Sequence, residues 1–267
     1  MSEFVSSWHF SERDQKARIE AVGEEALDVV DKTYGDGYPK YRRRGSHELS
    51  YHNGHHAREV GNTAFKLCTL SGLDLLERET GRTAGFAHDI VQLKGRGTDE
   101  RESAEWVERQ LSRGDTVAPA LRSMAALAIV GTEPLFEGGK LVGQKATTMR
   151  YPSKDAETMA KSVASADLGE LYTPQGPLLA HQLFREINGM ARPQNLSMEK
   201  LAAFQKNQVE LLERYRFPLP KAERKLTKHK PQVIAYSTDL MRKIEAGEVD
   251  SWEGVIELDQ AFAQQYR

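Results

Sequence analysis

The sequence predicts an all-α protein built as a helical bundle, and three observations predict it. Apolar side chains recur at three- and four-residue spacing in almost every segment. No run of alternating apolar and polar residues bounded by hairpin turns is present. Between the periodic stretches fall breaker-rich segments such as Tyr34-Gly-Asp-Gly-Tyr-Pro. Taken in order, residues 11–33 place Ala17, Ile19, Val22, Ala26, Leu27, Val29 and Val30 on one broad stripe and predict a long amphipathic helix. A second helix is expected to begin near Ser50 and end at Ser71-Gly72, and a third to span residues 74–90, with Gly81 or Gly85 as a point of interruption. Thr98, followed by acidic residues, reads as the cap of a helix that stops at Gly114. Residues 116–129 are the most apolar stretch and are expected at the centre. Four glycines and two prolines in residues 131–153 predict a long loop or a short hairpin. Further helices are expected over 155–170, 176–190, 197–215, 231–245 and 251–265.

Composition narrows the function classes. With 39% hydrophobic and 28% charged residues, the chain lies outside the low-hydrophobicity, high-charge regime of disorder. A net charge of −2 supplies no global positive field, so general nucleic-acid binding is not expected. The lone cysteine, Cys68, cannot form an intramolecular disulfide and is read as a small core residue. The first residues lack a signal-peptide pattern, and no apolar run approaches the roughly 20 residues of a membrane span, so a cytoplasmic protein is expected.

The chemistry is concentrated in histidine. Four of the eight histidines lie in Ser46-His-Glu-Leu-Ser-Tyr-His-Asn-Gly-His-His-Ala, and His88 directly precedes Asp89. On a helix, His52 and His56 would lie one turn apart on the same side, with His55 rotated away by about 100°. Neighbouring His88 and Asp89 can reach one ion only where the backbone bends or a helix ends. Asp167, in Ala164-Ser-Ala-Asp-Leu-Gly, is a carboxylate among small apolar residues and requires a partner.

The series His56, His88-Asp89, Asp167 resembles the H…HD…D signature of the HD-domain metal-dependent phosphohydrolases. The flank Tyr51-His-Asn-x-x-His-Ala is similar to a segment of the cyclic-nucleotide phosphodiesterases of that superfamily. The resemblance covers residues 46–170 and implies an HD-domain-like bundle there; the helices outside it are read as N- and C-terminal extensions, so the expected organisation is a terminal helix and linker over 1–45, a catalytic core over 46–190, and an extension over 191–267 packed on the core. It implies that His56, His88, Asp89 and Asp167 bind a divalent metal, with Asp89 able to bridge to a second ion and His52 acting as proton donor to the leaving oxygen. Two imidazoles and two carboxylates independently suit Zn, Mn, Fe, Co or Ni, and the expected cofactor is a divalent ion among these and Mg. The implied reaction is hydrolysis of a nucleotide or other small phosphoester, including phosphodiesters and cyclic nucleotides, by activated water.

Around this set, Lys94 and Arg96 on a glycine-flanked loop are the preferred phosphate contacts, ahead of Lys40 and Arg42 to Arg44. Asn53 and His55 are candidates for supporting hydrogen bonds, with an ordinary surface position as the competing reading of His47 and His55. Glu102 and Glu133 are candidates for a replacement acid or a water-mediated contact to a second ion, against ordinary solvated carboxylates. Some features depart from the superfamily. No histidine lies between Asp89 and Asp167, which disfavours oxygenase chemistry. Ile90-Val-Gln-Leu lacks the acidic pair of the stringent-response hydrolases, and Gln92 stands where deoxynucleoside monophosphatases carry glutamate. The alternative function is a ligand-sensing or interaction module without turnover, whose mark would be a broken ligand set; here the set is complete.

Overall fold

A computed structural model describes residues 10–35, 51–92, 94–95, 97–188 and 197–266. The fold is all-α: the described residues form eleven α-helices and one two-stranded sheet. The helices are α1 (Glu12–Tyr34), α2 (Gly54–Ser71), α3 (Leu75–Ala87), α4 (Thr98–Ser112), α5 (Pro119–Val130) and α6 (Lys154–Asp167), followed by α7 (Gly176–Ile187), α8 (Met198–Arg214), α9 (Pro220–Leu226), α10 (Lys230–Glu245) and α11 (Trp252–Gln264). None of the described helices is long and apolar enough to cross a membrane.

Local chemistry starts these helices. Ser11 and Ser153 cap α1 and α6 by accepting backbone N–H groups, and Asp74 with Glu77 forms a reciprocal capping box on α3. Three expectations are corrected here. First, α2 begins at Gly54 because the Asn53 side chain accepts the N–H groups of His55 and His56, so His52 lies before the helix rather than on it. Second, the cap of α4 is Gly97, not Thr98: its positive φ of 72° turns the chain, and its N–H donates to Glu100 at 2.7 Å. Third, Gly81 and Gly85 do not interrupt α3. A Cβ on Gly85 would sit 2.6 Å from the Cα of Gly61, so glycine at both positions lets α2 and α3 cross backbone to backbone.

The principal core joins α1 through α6. It includes Ile19, Val22, Val30, Val60, Leu67, Val107, Ile129 and Val163, all fully buried, and each such side chain contributes on the order of 1.5–3 kcal/mol. Helix α5 packs on α3, α4 and α6, as its apolar composition predicts, and Cys68 is a buried core residue. Residues 131–153 form the hairpin of β1 (Pro134–Glu137) and β2 (Lys140–Gln144), antiparallel with an irregularity between Leu135 and Phe136. A second apolar cluster of Phe184, Leu201, Leu240, Ile244, Trp252 and Val255 joins α7, α8, α10 and α11. Tyr215, Phe217 and Leu219, between α8 and α9, insert into the principal core and dock this C-terminal layer on it.

Candidate metal centre

Three helix ends converge on one buried point. His56 stands in the first turn of α2, immediately after the Asn53 cap. His88 and Asp89 follow the last residue of α3, the helix end that two adjacent ligands require. Asp167 is the last residue of α6. Ligand atoms of His56, His88 and Asp167 all lie within 4.8 Å of one another, so these three can hold a metal ion. Asp89 joins them: its Oδ2 is 2.9 Å from His88 Nε2 and 3.6 Å from His56 Nε2. Asp167 Oδ1 lies 3.4 Å from His56 Nε2 and 3.5 Å from His88 Nε2.

Each ligand is held from behind. His88 Nδ1 donates to the Gly85 carbonyl at 2.8 Å, and His56 Nδ1 pairs with Glu170 Oε2 at 3.1 Å. Asp89 Oδ1 accepts from Gln92 Nε2 at 2.6 Å, and Asp167 Oδ2 accepts from Gln144 Nε2 at 2.9 Å. These bonds fix the imidazoles with Nε2 facing the cluster, the arrangement by which proteins orient metal-binding histidines. In front, His56 Nε2, His88 Nε2 and Asp89 Oδ2 are buried and make no hydrogen bond. They approach one another and Asp167 as ion pairs without hydrogen-bond geometry, and a divalent cation at their meeting point would satisfy all three. The donor set therefore fits a metal.

The electrostatics agree. Burial disfavours the His56 imidazolium, yet its contacts with Asp167 and Glu170 outweigh this and lift the group to about 9. His88 is likewise raised well above the usual histidine range, with burial overcome by the Asp89 charge and by contact with Asp167. Burial pushes Asp89 and Asp167 up, but the surrounding imidazoles hold both below the usual carboxylate range. Without a cation, the carboxylates retain protons on the histidines in its place.

His52 enters the centre from the extended segment before α2, not from one helical turn away. Its Nδ1 pairs with Glu186 Oε1, while Glu186 Oε2 accepts the backbone N–H groups of Tyr51 at 2.9 Å and His52 at 3.2 Å. This clamp from the end of α7 leaves His52 Nε2 4.0 Å from Asp89 Oδ2. Although burial opposes it, the Asp89 charge and the Glu186 bond raise His52 above its ordinary value. The Tyr51 ring packs 4.5 Å from that of His56.

The remaining sequence candidates separate. Asn53 acts through the α2 cap, and His55 is half-buried and outside the ligand cluster. Lys94 is exposed and ion-paired with Glu102, which places Glu102 on that surface pair. Glu133 pairs with Lys145 at 2.6 Å. Arg96, His47, Lys40 and Arg42 to Arg44 lie outside the described residues. Sequence reasoning missed Glu170, Glu186, Gln144 and Tyr215. Glu170 carried a signal, standing three residues after Asp167 where a helical turn aligns the two; the others are common residue types far from any ligand in the chain.

Fold and site together define an all-α protein with a buried histidine–carboxylate centre suited to a divalent cation. Comparison with family models and with curated proteins finds no match. Among solved structures, the chain is similar to the crystal structure of Bacillus subtilis YpgQ in complex with ADP, at 15% identity over 83% of this chain and 94% of that one, with a TM-score of 0.49. At that identity and score the likeness assigns neither family nor ligand.

Proposed function

We propose that the chain is a divalent-metal-dependent phosphohydrolase of the HD type, acting on a nucleotide or other small phosphoester. The observation that carries this reading is the set of three buried, unbonded ligand atoms facing one another while the opposite atom of each ligand is hydrogen-bonded. His56, His88, Asp89 and Asp167 would hold the ion; mixed imidazole and carboxylate ligands suit Mn, Zn, Fe, Co or Ni better than Mg. A divalent ion supplies Lewis acidity at a phosphoryl group and water activated near neutral pH. The rest of the chemistry belongs to the chain. Glu186 holds His52 Nδ1, stabilises its imidazolium and leaves Nε2 to give a proton to the leaving oxygen. The substrate class rests on the H…HD…D resemblance.

The test is metal analysis of the purified protein, followed by a panel of phosphomonoesters, phosphodiesters, cyclic nucleotides and nucleoside phosphates with added Mn²⁺, Mg²⁺ and Zn²⁺. Bound metal and turnover of one class support the reading. Bound metal without turnover of any class would point to the ligand-sensing alternative, and no metal at all would remove the centre.

A further inference from the structure

We infer that Gln144 and Tyr215 are positioning residues for Asp167, so that the β-hairpin and the segment after α8 set the affinity of the centre for its cation. This inference rests on the reading of His56, His88, Asp89 and Asp167 as a metal site.

The two oxygens of Asp167 do different things. Oδ1 faces the two imidazoles, whereas Oδ2 accepts from Gln144 Nε2 at 2.9 Å. Gln144, the last residue of β2, is 1% exposed. Its Nε2 also lies 3.4 Å from the Thr132 carbonyl oxygen, and its Oε1 accepts from the Tyr215 hydroxyl at 2.6 Å. Turning the amide over would set Oε1 against a carboxylate and a carbonyl, both acceptors, so its neighbours determine its orientation. Tyr215 is 4% exposed, with its ring packed edge-on against Phe217. A buried relay of two hydrogen bonds thus runs from the Tyr215 hydroxyl through Gln144 to Asp167, and its second bond is charge-assisted.

What the relay controls is the rotation of one carboxylate. The terminal torsion of aspartate is broad, and Gln144 removes that freedom by engaging Oδ2. Asp167 then presents a single oxygen to a cation, which leaves coordination positions for water and substrate. The supports of His88 and Asp89 are local, with Gly85 three residues before His88 and Gln92 three after Asp89, and His56 is held by Glu170, which is distant from it in the chain but stands beside Asp167 at the end of α6. By contrast, Gln144 is 23 residues from Asp167 and Tyr215 is 71 residues from Gln144. Correct presentation of Asp167 therefore requires both the hairpin and the docked C-terminal layer.

The experiment measures Mn²⁺ and Zn²⁺ affinity of the full-length, metal-stripped protein by competition with a chromogenic chelator. Tyr215→Phe, which deletes one hydroxyl, is expected to weaken affinity about tenfold, and Gln144→Leu by at least as much, the scale found for outer partners of metal ligands. The double variant binds no more weakly than Gln144→Leu alone, because the hydroxyl acts only through the amide. Tyr172→Phe is the control: it deletes a neighbouring buried hydroxyl that makes no hydrogen bond and leaves affinity unchanged. Should Tyr215→Phe fail the circular-dichroism check of its fold, Gln144→Asn, too short to span both partners, carries the same expectation. Wild-type affinity in Tyr215→Phe, equal weakening in Tyr172→Phe, or additive losses in the double variant would each overturn the relay. If the wild-type protein itself binds neither ion, the metal centre falls and the relay with it.

Discussion

Rigid support behind the ligands and unbonded atoms in front of them decide how single side chains respond to change. On the proposed reading His88→Ala or Asp89→Ala removes a metal ligand, so both are expected to abolish turnover and lower bound metal in elemental analysis. On the same reading His52→Ala removes a proton donor and no ligand, so turnover is expected to fall by about 10²–10⁴ with metal content retained. Unchanged metal in all three variants would refute the ligand assignment. The pH response has a definite sign. In the metal-free protein His56 is raised from 6.5 to about 9, so its contribution to folding is complete below 6.5 and is lost as pH climbs through about 9. Metal binding needs the neutral imidazole and must release that proton. Affinity for Mn²⁺ or Zn²⁺ is therefore expected to rise across this window while metal-free stability falls, and calorimetric titration at several pH values with thermal melts checks both.

Helices deliver these side chains, and the joints between helices are where substitution is felt most. Gly85→Ala would press a methyl to 2.6 Å from the Gly61 Cα. The cost is at least the roughly 1–3 kcal/mol of overpacking, expected as a melting temperature lowered by several degrees, with metal affinity reduced because α2 and α3 carry His56 and His88. Asn53→Ala removes the α2 cap, costing about 1 kcal/mol, and frays the turn that holds His56. A melt showing neither variant destabilised would contradict the crossing and the cap respectively. The sequence anticipated ten of the eleven described helices to within a few residues, because periodicity and caps are local properties, and predicted no helix for the short α9. It misplaced the start of α2, where Asn53 captures the first N–H groups, and it read Gly85 as an interruption because a glycine needed for close approach looks the same in sequence as one that ends a helix.

Across the molecule, a cation at the centre would tie together α2, the end of α3, the end of α6 and, through Gln144 and Tyr215, the hairpin and the C-terminal layer. A ligand that binds only the folded state stabilises it by mass action, so the melting temperature is expected to rise with added Mn²⁺ or Zn²⁺ and fall back with a chelator. The near-neutral charge predicts no steep salt-dependent affinity for generic DNA or RNA in a filter-binding titration. The resemblance to the H…HD…D signature singled out His56, His88, Asp89 and Asp167, while residue chemistry and spacings by themselves drew attention to the histidine cluster and to the adjacent His88 and Asp89. Spacings were enough for an all-α fold, because burying one helical face imprints a period on the chain. The partners Glu186, Gln144 and Tyr215 leave no such imprint. Each meets its target across tens of residues or more, and only the crossing of α2 on α3 and the docking of the C-terminal layer bring those atoms within hydrogen-bonding reach.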